Sequence, residues 1–326
     1  MTPSGGLNRR AAMLAGAAWP ALGSAAGAFP QRSVRIVVPY SVGIGPDVVA
    51  RSVAEHLAQQ WGQPVVVDNR PGASGIVAFG DVRRTPPDGH TLYLGDTATL
   101  AVNPLLHRKL PYDVARDLVP LSLLFRATFL LWVGAGNRFR NLTELLDAAR
   151  RNPGGVSYAS LGNGHASHVA VESMARAAQV QMLHVPFKDA GALFTAVAKA
   201  EVDFTAFSLN SMAGLLASGR MRALAVAARK RLTALPDVPT LLEAGGPAVE
   251  MHPWAALLTV AGTPVQVVKK LQRDIVAALG SPEVRSRAQT AGFEITPSTA
   301  QALRERIASD LNLYRPLVAE GRLERV

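Results

Sequence analysis

Short, unbroken apolar runs rich in β-branched residues alternate along this chain with longer stretches whose apolar positions repeat at a helical period. Val34-Arg35-Ile36-Val37-Val38-Pro39 is the first such run, the pattern of a strand covered on both faces. Tyr40-Ser41-Val42-Gly43-Ile44-Gly45 breaks it with two glycines one residue apart, and Pro46-Asp47 open a helix. Gly45 suits the N-cap and Pro46 the first helical position, where a missing N–H costs nothing. Val49, Val53, Leu57 and Trp61 then recur every four residues, one stripe to pack on the sheet. A strand that leads through a glycine loop into a helix N-terminus gathers free N–H groups and the positive end of a helix dipole, a place to hold an anion. The plainer alternative is a turn whose glycines only make the bend.

The pattern repeats. Val65-Val66-Val67 reads as a second buried strand, Asp68 to Gly75 as a loop, and Ile76 to Arg84 as a helix stopped by Thr85-Pro86-Pro87-Asp88-Gly89. Thr91-Leu92-Tyr93-Leu94 is a third strand, running into the polar loop Gly95-Asp96-Thr97-Ala98-Thr99. After Leu130-Leu131-Trp132-Val133 a second set begins, with a helix over Leu142 to Arg151 and a strand over Val156 to Ala159. The loop Ser160-Leu161-Gly162-Asn163-Gly164 then leads into a helix from His165 to about Ala178, the opening architecture over again. Strands over Met182 to Phe187, Val202 to Ala206 and Ala223 to Ala227 complete a smaller α/β set. Beyond Pro253-Trp254, a strand over Ala255 to Val260 and helices from Pro264, Ser281 and Ser298 are too few for a third domain and return to the first. Strand–helix alternation predicts α/β lobes built on parallel sheets, with ligands outside the carboxyl ends of the strands. Two lobes joined by two crossings, each offering a helix N-terminus, make a cleft for a small anion.

Composition adds a leader. Arg9-Arg10 precede an apolar run, Ala11 to Leu22, and Ala26-Gly27-Ala28 forms a small-x-small cleavage site, so the first 28 residues read as a signal peptide cleaved after Ala28. The adjacent arginines admit the twin-arginine route as well as Sec. No later segment has 18 consecutive apolar residues, and the chain has no cysteine, which fits an exported protein without disulfides. Loss of Arg9 and Arg10 takes the formal charge from +10 to +8. That charge suits acidic small molecules, and the basic residues lie singly or in pairs with no nucleic-acid module, so nucleic acid is not expected as a partner.

A set of local markers occurs in order: Arg35–Pro39 with Asp47; Gln63-Pro64-Val65-Val66-Val67 with Asn69-Arg70-Pro71-Gly72-Ala73; Pro87-Asp88-Gly89 with Thr91-Leu92. Asn103-Pro104, Leu110-Pro111-Tyr112-Asp113, Tyr158-Ala159-Ser160 with Gly162-Asn163-Gly164, and His184-Val185-Pro186-Phe187-Lys188 follow. Arg222 to Val226, Leu235-Pro236-Asp237-Val238-Pro239-Thr240, Glu243-Ala244-Gly245 and Ala261-Gly262-Thr263-Pro264 complete it. Each is weak alone, but the ordered set resembles the Bug-type solute receptors, the substrate-binding proteins of tripartite tricarboxylate transporters, over nearly the whole mature chain. The resemblance implies an α/β, two-lobed, hinge-closing periplasmic binding protein of type II-like form, each lobe a parallel-sheet α/β sandwich. Lobe 1 would comprise 29–128 plus 254–326, and lobe 2 would comprise 129–253. It implies a monomer that takes a small carboxylate without cofactor or metal and serves a membrane permease of that transporter type, or sensing. The expected ligand-binding set is Tyr40, Ser41, Val42, Gly43, Ile44, Gly45 and Asp47 in the first loop, with Thr97 and Thr99 after the third strand. Across the cleft it comprises Ser160, Gly162, Asn163, His165, Ser167, Phe187, Phe207 and Ser208.

The chain departs from that family pattern at several points. Similar receptors carry a glycine-rich loop ending in a hydroxyl residue before the aspartate, where this chain has Val42-Gly43-Ile44-Gly45-Pro46. Phe207-Ser208 stands where an acid often occurs, and Ile76 replaces a polar residue. All three changes make the pocket more apolar and point to an aromatic or partly apolar monocarboxylate.

Two enzyme readings stand beside the receptor. Gly43-x-Gly45 after a strand, with Asp68 ending the second, resembles a dinucleotide site of an oxidoreductase, but Val48 takes the third glycine position and Pro46 removes an N–H. Ser160 between a strand and a helix resembles a hydrolase nucleophile, with histidines downstream to serve it, but Tyr158 replaces the glycine of a strained elbow. His165 and His168 share a helical face without a third metal ligand nearby in sequence.

Overall fold

The computed structural model describes residues 1–2, 29–43 and 45–326, apart from the Ala73 side chain. The leader expected over 1–28 lies almost wholly outside them, as does Ile44. In chain order the elements are β1 (Val34–Val38), α1 (Gly45–Trp61), β2 (Val65–Asn69), α2 (Ile76–Val82), β3 (Thr91–Asp96), α3 (Asn103–Leu106), α4 (Val114–Asp117) and β4 (Leu118–Arg126). The chain then crosses over and forms β5 (Phe129–Gly134), α5 (Leu142–Arg151), β6 (Ser157–Ser160), α6 (Ala166–Ala177), β7 (Leu183–Pro186), α7 (Ala190–Ala198), β8 (Phe204–Ser208), α8 (Leu209–Ala217) and β9 (Met221–Val226). It returns as β10 (Trp254–Val260), α9 (Val265–Gly280), α10 (Pro282–Thr290), β11 (Glu294–Ile295) and α11 (Ala300–Ala319).

Two sheets result, in the orders β11-β4-β10-β3-β1-β2 and β7-β6-β8-β5-β9. Both are mixed, whereas strand–helix alternation predicted parallel sheets. β1 runs parallel to β2 and β3, but β10 is antiparallel to β3 and β4. In the second sheet β6 is parallel to β7 and β8, and β5 is antiparallel to β8 and β9. The cause lies in the crossings. A strand entered directly from the other lobe runs away from the cleft, while strands within βα units run toward it.

Apolar clusters cover both faces of each sheet. The stripe on α1 packs as its spacing requires, with Val49, Val53 and Leu57 fully buried, and Trp61 donates its ring N–H to Asp274 on α9 at 2.7 Å. The valine run of β2 departs from expectation. It is the sheet edge, and Val66 is exposed. β3 runs two residues past the expected loop start. Gly95 belongs in that strand because a Cβ there would sit 2.7 Å from the Leu100 side chain and 2.9 Å from that of Leu258.

The crossings lie side by side and bond to each other: Ala127 N–H donates to the Pro253 carbonyl at 2.8 Å and Phe129 N–H to that of Met251 at 3.0 Å. The carboxyl end of the chain makes a third link between the lobes. Leu317, Val318 and Leu323 pack with Val102 and Leu106 of the first lobe and Val169 of the second. Gly164 has φ +75°, and a Cβ there would meet Leu106 at 2.5 Å. The tail bonds to both sides, through Val326 N–H to the Leu106 carbonyl (3.0 Å) and the Asn163 amide to the Glu324 carbonyl (2.7 Å).

The anchor of this tail is Arg322, 3.0 Å from Glu172, whose side chain is only 7 % exposed and also accepts from the Tyr158 hydroxyl at 2.6 Å. Removing one partner of a buried pair leaves a charge without compensation. Arg322→Ala should therefore lower the unfolding free energy in urea by about 3 kcal/mol. A loss below about 1 kcal/mol, the range of an exposed pair, would mean the tail is not held by this contact.

Candidate functional site

Between the lobes lies a cavity of about 320 Å³, beside the crossings. Its walls are aromatic on both sides. Phe125 at the end of β4 packs on Phe293 with centroids 4.2 Å apart and the rings tilted by 42°, and Phe207 near the end of β8 meets Phe129 at 5.8 Å and Phe194 at 5.0 Å. The buried Trp132 fixes the Phe207 backbone, donating its ring N–H to that carbonyl at 2.9 Å. Four helices begin at this cavity, and Pro46 of α1, Ala166 of α6, Ala190 of α7 and Ser211 of α8 line it. Among the described residues no lysine or arginine lines it. An anion here would be met by backbone N–H groups, helix dipoles and neutral donors.

The polar side chains are few. His165 caps α6: its Nδ1 accepts from the Ser167 N–H at 3.1 Å. Burial pushes its pKa down to about 4, so the ring is neutral near pH 7. A neutral ring that accepts at Nδ1 carries its proton on Nε2, which leaves one N–H to donate. Ser208 precedes α8 but makes no cap bond, and its hydroxyl pairs with that of Ser211 at 3.0 Å. Tyr40 donates a close hydrogen bond to Asp96, and burial together with the Asp96 charge holds the phenol well above its ordinary pKa.

Of the expected site residues, Tyr40, Thr97, His165, Phe207 and Ser208 line this cavity. Gly43 and Gly45 line an adjoining one of about 530 Å³ that shares Pro46, Ser211 and Phe293 with it. Ser41 and Val42 are exposed on the loop. The remaining described members are used elsewhere. Asp47 is buried and accepts from Gly43 N–H (2.9 Å), Asn69 (2.8 Å) and Arg51 (3.0 Å). Burial pushes its pKa up, but those bonds outweigh it and lower the pKa. Asp47 therefore ties the loop down and does not line the cavity. Thr99 exchanges two bonds with Asp96, its N–H donating to that carboxylate and its hydroxyl accepting from the Asp96 N–H. Ser167 is fully buried under His165, Gly162 donates its N–H to Ser160, Asn163 holds the tail, and Phe187 packs on the second lobe's core.

Ser160 also departs from its expected place. It is fully buried, off the cavity, and its hydroxyl lies 2.6 Å from His184 Nε2. A nucleophile must meet its substrate, and this one is buried and does not line the cavity. The oxidoreductase reading fares no better, because Asp68 is bound by Arg35 at 2.9 Å and Arg70 at 3.1 Å. His165 and His168 do not converge on a metal either, since each Nδ1 accepts a backbone N–H, from Ser167 and Gly164.

The sequence reading missed Asp96, Phe125, Phe129, Phe194, Ser211, Trp254 and Phe293, all of which line the cavity. It also missed Asn210 on α8, which reaches the first lobe beside the cavity. Its amide donates to the carbonyls of Gln289, at 3.3 Å, and Thr290 at the end of α10.

His168 and His184 stack at 3.8 Å, with Tyr158 against both. Burial lowers the pKa of His168 to about 3, helped by the neighbouring His184, and that of His184 to about 4. With His165, three rings stay neutral in the fold but take protons near pH 6.5 once unfolded. The unfolded chain then binds more protons below that value, so stability is full above pH 6.5 and is lost progressively toward pH 4. The melting temperature should fall between pH 6.5 and 5, above the usual carboxylate range, and His184→Gln should make the fall shallower. A flat profile over that interval would contradict neutral, buried histidines.

The comparisons with known proteins agree with this architecture. A family model described as the tripartite tricarboxylate transporter family receptor, TctC, matches residues 49–323. The UPF0065 protein in the tcbD-tcbE intergenic region of Pseudomonas sp. (strain P51) is 35% identical over 297 residues, covering 91% of this chain and 88% of that protein. The structure of R. palustris Rpa4515 with adipate is 29% identical with a TM-score of 0.82, over 91% of this chain and all of that one. The periplasmic binding protein BugD is 28% identical with a TM-score of 0.78, again over 91% of this chain and all of that one. The chain belongs to the tripartite tricarboxylate transporter receptor family.

Proposed function

We propose that this chain is an exported receptor that captures a small carboxylate between its lobes and releases it unchanged to a membrane permease of the tripartite tricarboxylate type, or serves sensing. On this reading residues 1–28 are the leader removed after Ala28, and the mature protein works as a monomer in the periplasm. Lobe 1 is 29–128 with 254–326, and lobe 2 is 129–253.

One observation carries the reading: four helix N-termini line one interlobe cavity that also has aromatic walls on both sides. Backbone N–H groups and the His165 Nε2–H bind the carboxylate without a formal cation, and the phenylalanine walls cover the rest of the ligand. Closure of the lobes removes bulk water and strengthens each charge-assisted bond. Adipate in the R. palustris relative is a small carboxylate too. The cavity hydroxyls of Ser208 and Ser211 pair with each other rather than with a base, which supports capture over conversion.

A thermal-shift series tests this with carboxylic acids, aromatic ones included, against amides of the same carbon skeleton. Acids that bind should raise the melting temperature by mass action, stabilising by about 2.7 kcal/mol at a hundredfold excess over Kd. The matched amides should not, and mass spectrometry should recover the acid intact. His165→Ala should weaken binding roughly tenfold, as loss of one hydrogen bond to a charged group does. Ser160→Ala should leave affinity within about twofold, since Ser160 lies off the cavity. Turnover of an acid, or equal stabilisation by its amide, would sink the receptor reading.

A further inference from the structure

Among the described residues Asp96 is the only acidic side chain that lines the cleft cavity, and no cationic side chain lines it. It ends β3 and is 9% exposed. One carboxylate oxygen accepts from the Tyr40 hydroxyl and the other from the Thr99 N–H at 2.7 Å. A carboxylate offers about four acceptor positions, so these two bonds leave capacity unused. Both partners are neutral donors, and the negative charge is not cancelled. Its field reaches Tyr40 and, across the cleft, His165.

A site for anions that carries its own uncompensated carboxylate must discriminate among them. We propose that Asp96, oriented by Tyr40, is a specificity-determining residue: it accepts a hydrogen bond from a hydroxyl or ammonium group on the bound acid, and it rejects acids that present a second carboxylate there. This rests on the carboxylate-receptor reading and narrows it to monocarboxylates bearing a donor at the end remote from the carboxylate. On this inference the anion meets the N–H donors at the helix starts and His165, the donor group meets Asp96, and the phenylalanine faces of the same cavity cover the carbon skeleton. Two like charges brought together in a water-poor cavity repel strongly, whereas a donor there satisfies a buried acceptor. The structure of Rpa4515 holds a dicarboxylate, adipate, so the discrimination is a property proposed for this chain and not for that relative.

Asp96→Asn is the informative variant. It keeps an oxygen to accept from Thr99 N–H and removes the charge. Titration calorimetry would compare matched acids on wild type and variant, after thermal unfolding has verified the fold. One series is benzoate, 3- and 4-hydroxybenzoate, 3- and 4-(aminomethyl)benzoate, isophthalate and terephthalate. The other is hexanoate, 6-hydroxyhexanoate, 6-aminohexanoate and adipate. Wild type should bind at least one hydroxyl or ammonium member about tenfold more tightly than its unsubstituted parent, and the dicarboxylates about a hundredfold more weakly than that member. In Asp96→Asn the dicarboxylate gap should shrink at least tenfold. A merely structural role would weaken all acids alike and leave the ratios unchanged, which would overturn the inference. So would wild-type binding of a dicarboxylate as tight as that of its hydroxy partner. If no acid of either series bound wild type or variant, the receptor reading would fall and this inference with it.

Discussion

The architecture depends on one inserted strand. β10 lies between β3 and β4 with every residue buried, and it bonds to both neighbours in antiparallel register. Its backbone groups have no alternative partner in that position, so the first sheet is whole only when the chain has left, built the second lobe and come back. Two crossings at the same place follow directly. So does strand direction: β1, β3, β4, β6 and β8 end at the cleft, and the helices after β1, β6 and β8 begin there. The anion site is therefore a product of topology, as in open α/β sheets generally.

That origin accounts for the electrostatic character of the cleft. The protein has 34 lysines and arginines against 24 acids, yet among the described residues no lysine or arginine lines the cavity. An arginine there would also need compensation in the empty state, because a buried unpaired charge is costly. Helix N-termini carry only partial charge and remain satisfied by water when the cleft is vacant. The aromatic walls then contribute area without adding polar groups that would need partners.

Much of this was readable from the chain, and the limits have physical causes. β1 and the α1 stripe were visible because burial on one face imposes a period, and the first and second glycine loops were visible because strands must end somewhere. The direction a polar side chain takes at a strand end was not visible. Ser160 shares a strand face with Tyr158, so it points to the His168–His184 stack and away from the cleft. Asp47 has Arg51 one turn ahead and Asn69 on the neighbouring strand, partners that a linear reading does not bring together. Phe125 and Phe129 read as ordinary core residues, and their place on either side of a crossing puts them on the cavity wall.

The tail and the Asn210 contact stand at different ends of the cavity. The tail side belongs with a second cavity that shares Thr97, Ala166 and Pro253 with the cleft, and Asn210 with the one that shares Pro46, Ser211 and Phe293. On the tail side an apolar cluster, a buried ion pair and backbone bonds join the lobes; on the other, among the described residues, the interlobe hydrogen bonds come from a single amide. Rotation that parts the lobes therefore meets unequal resistance. On the receptor reading the molecule would open like a book bound along one edge, and the free edge would be the one past the carboxyl end of α10, where among the described residues the Asn210 amide makes the interlobe hydrogen bonds.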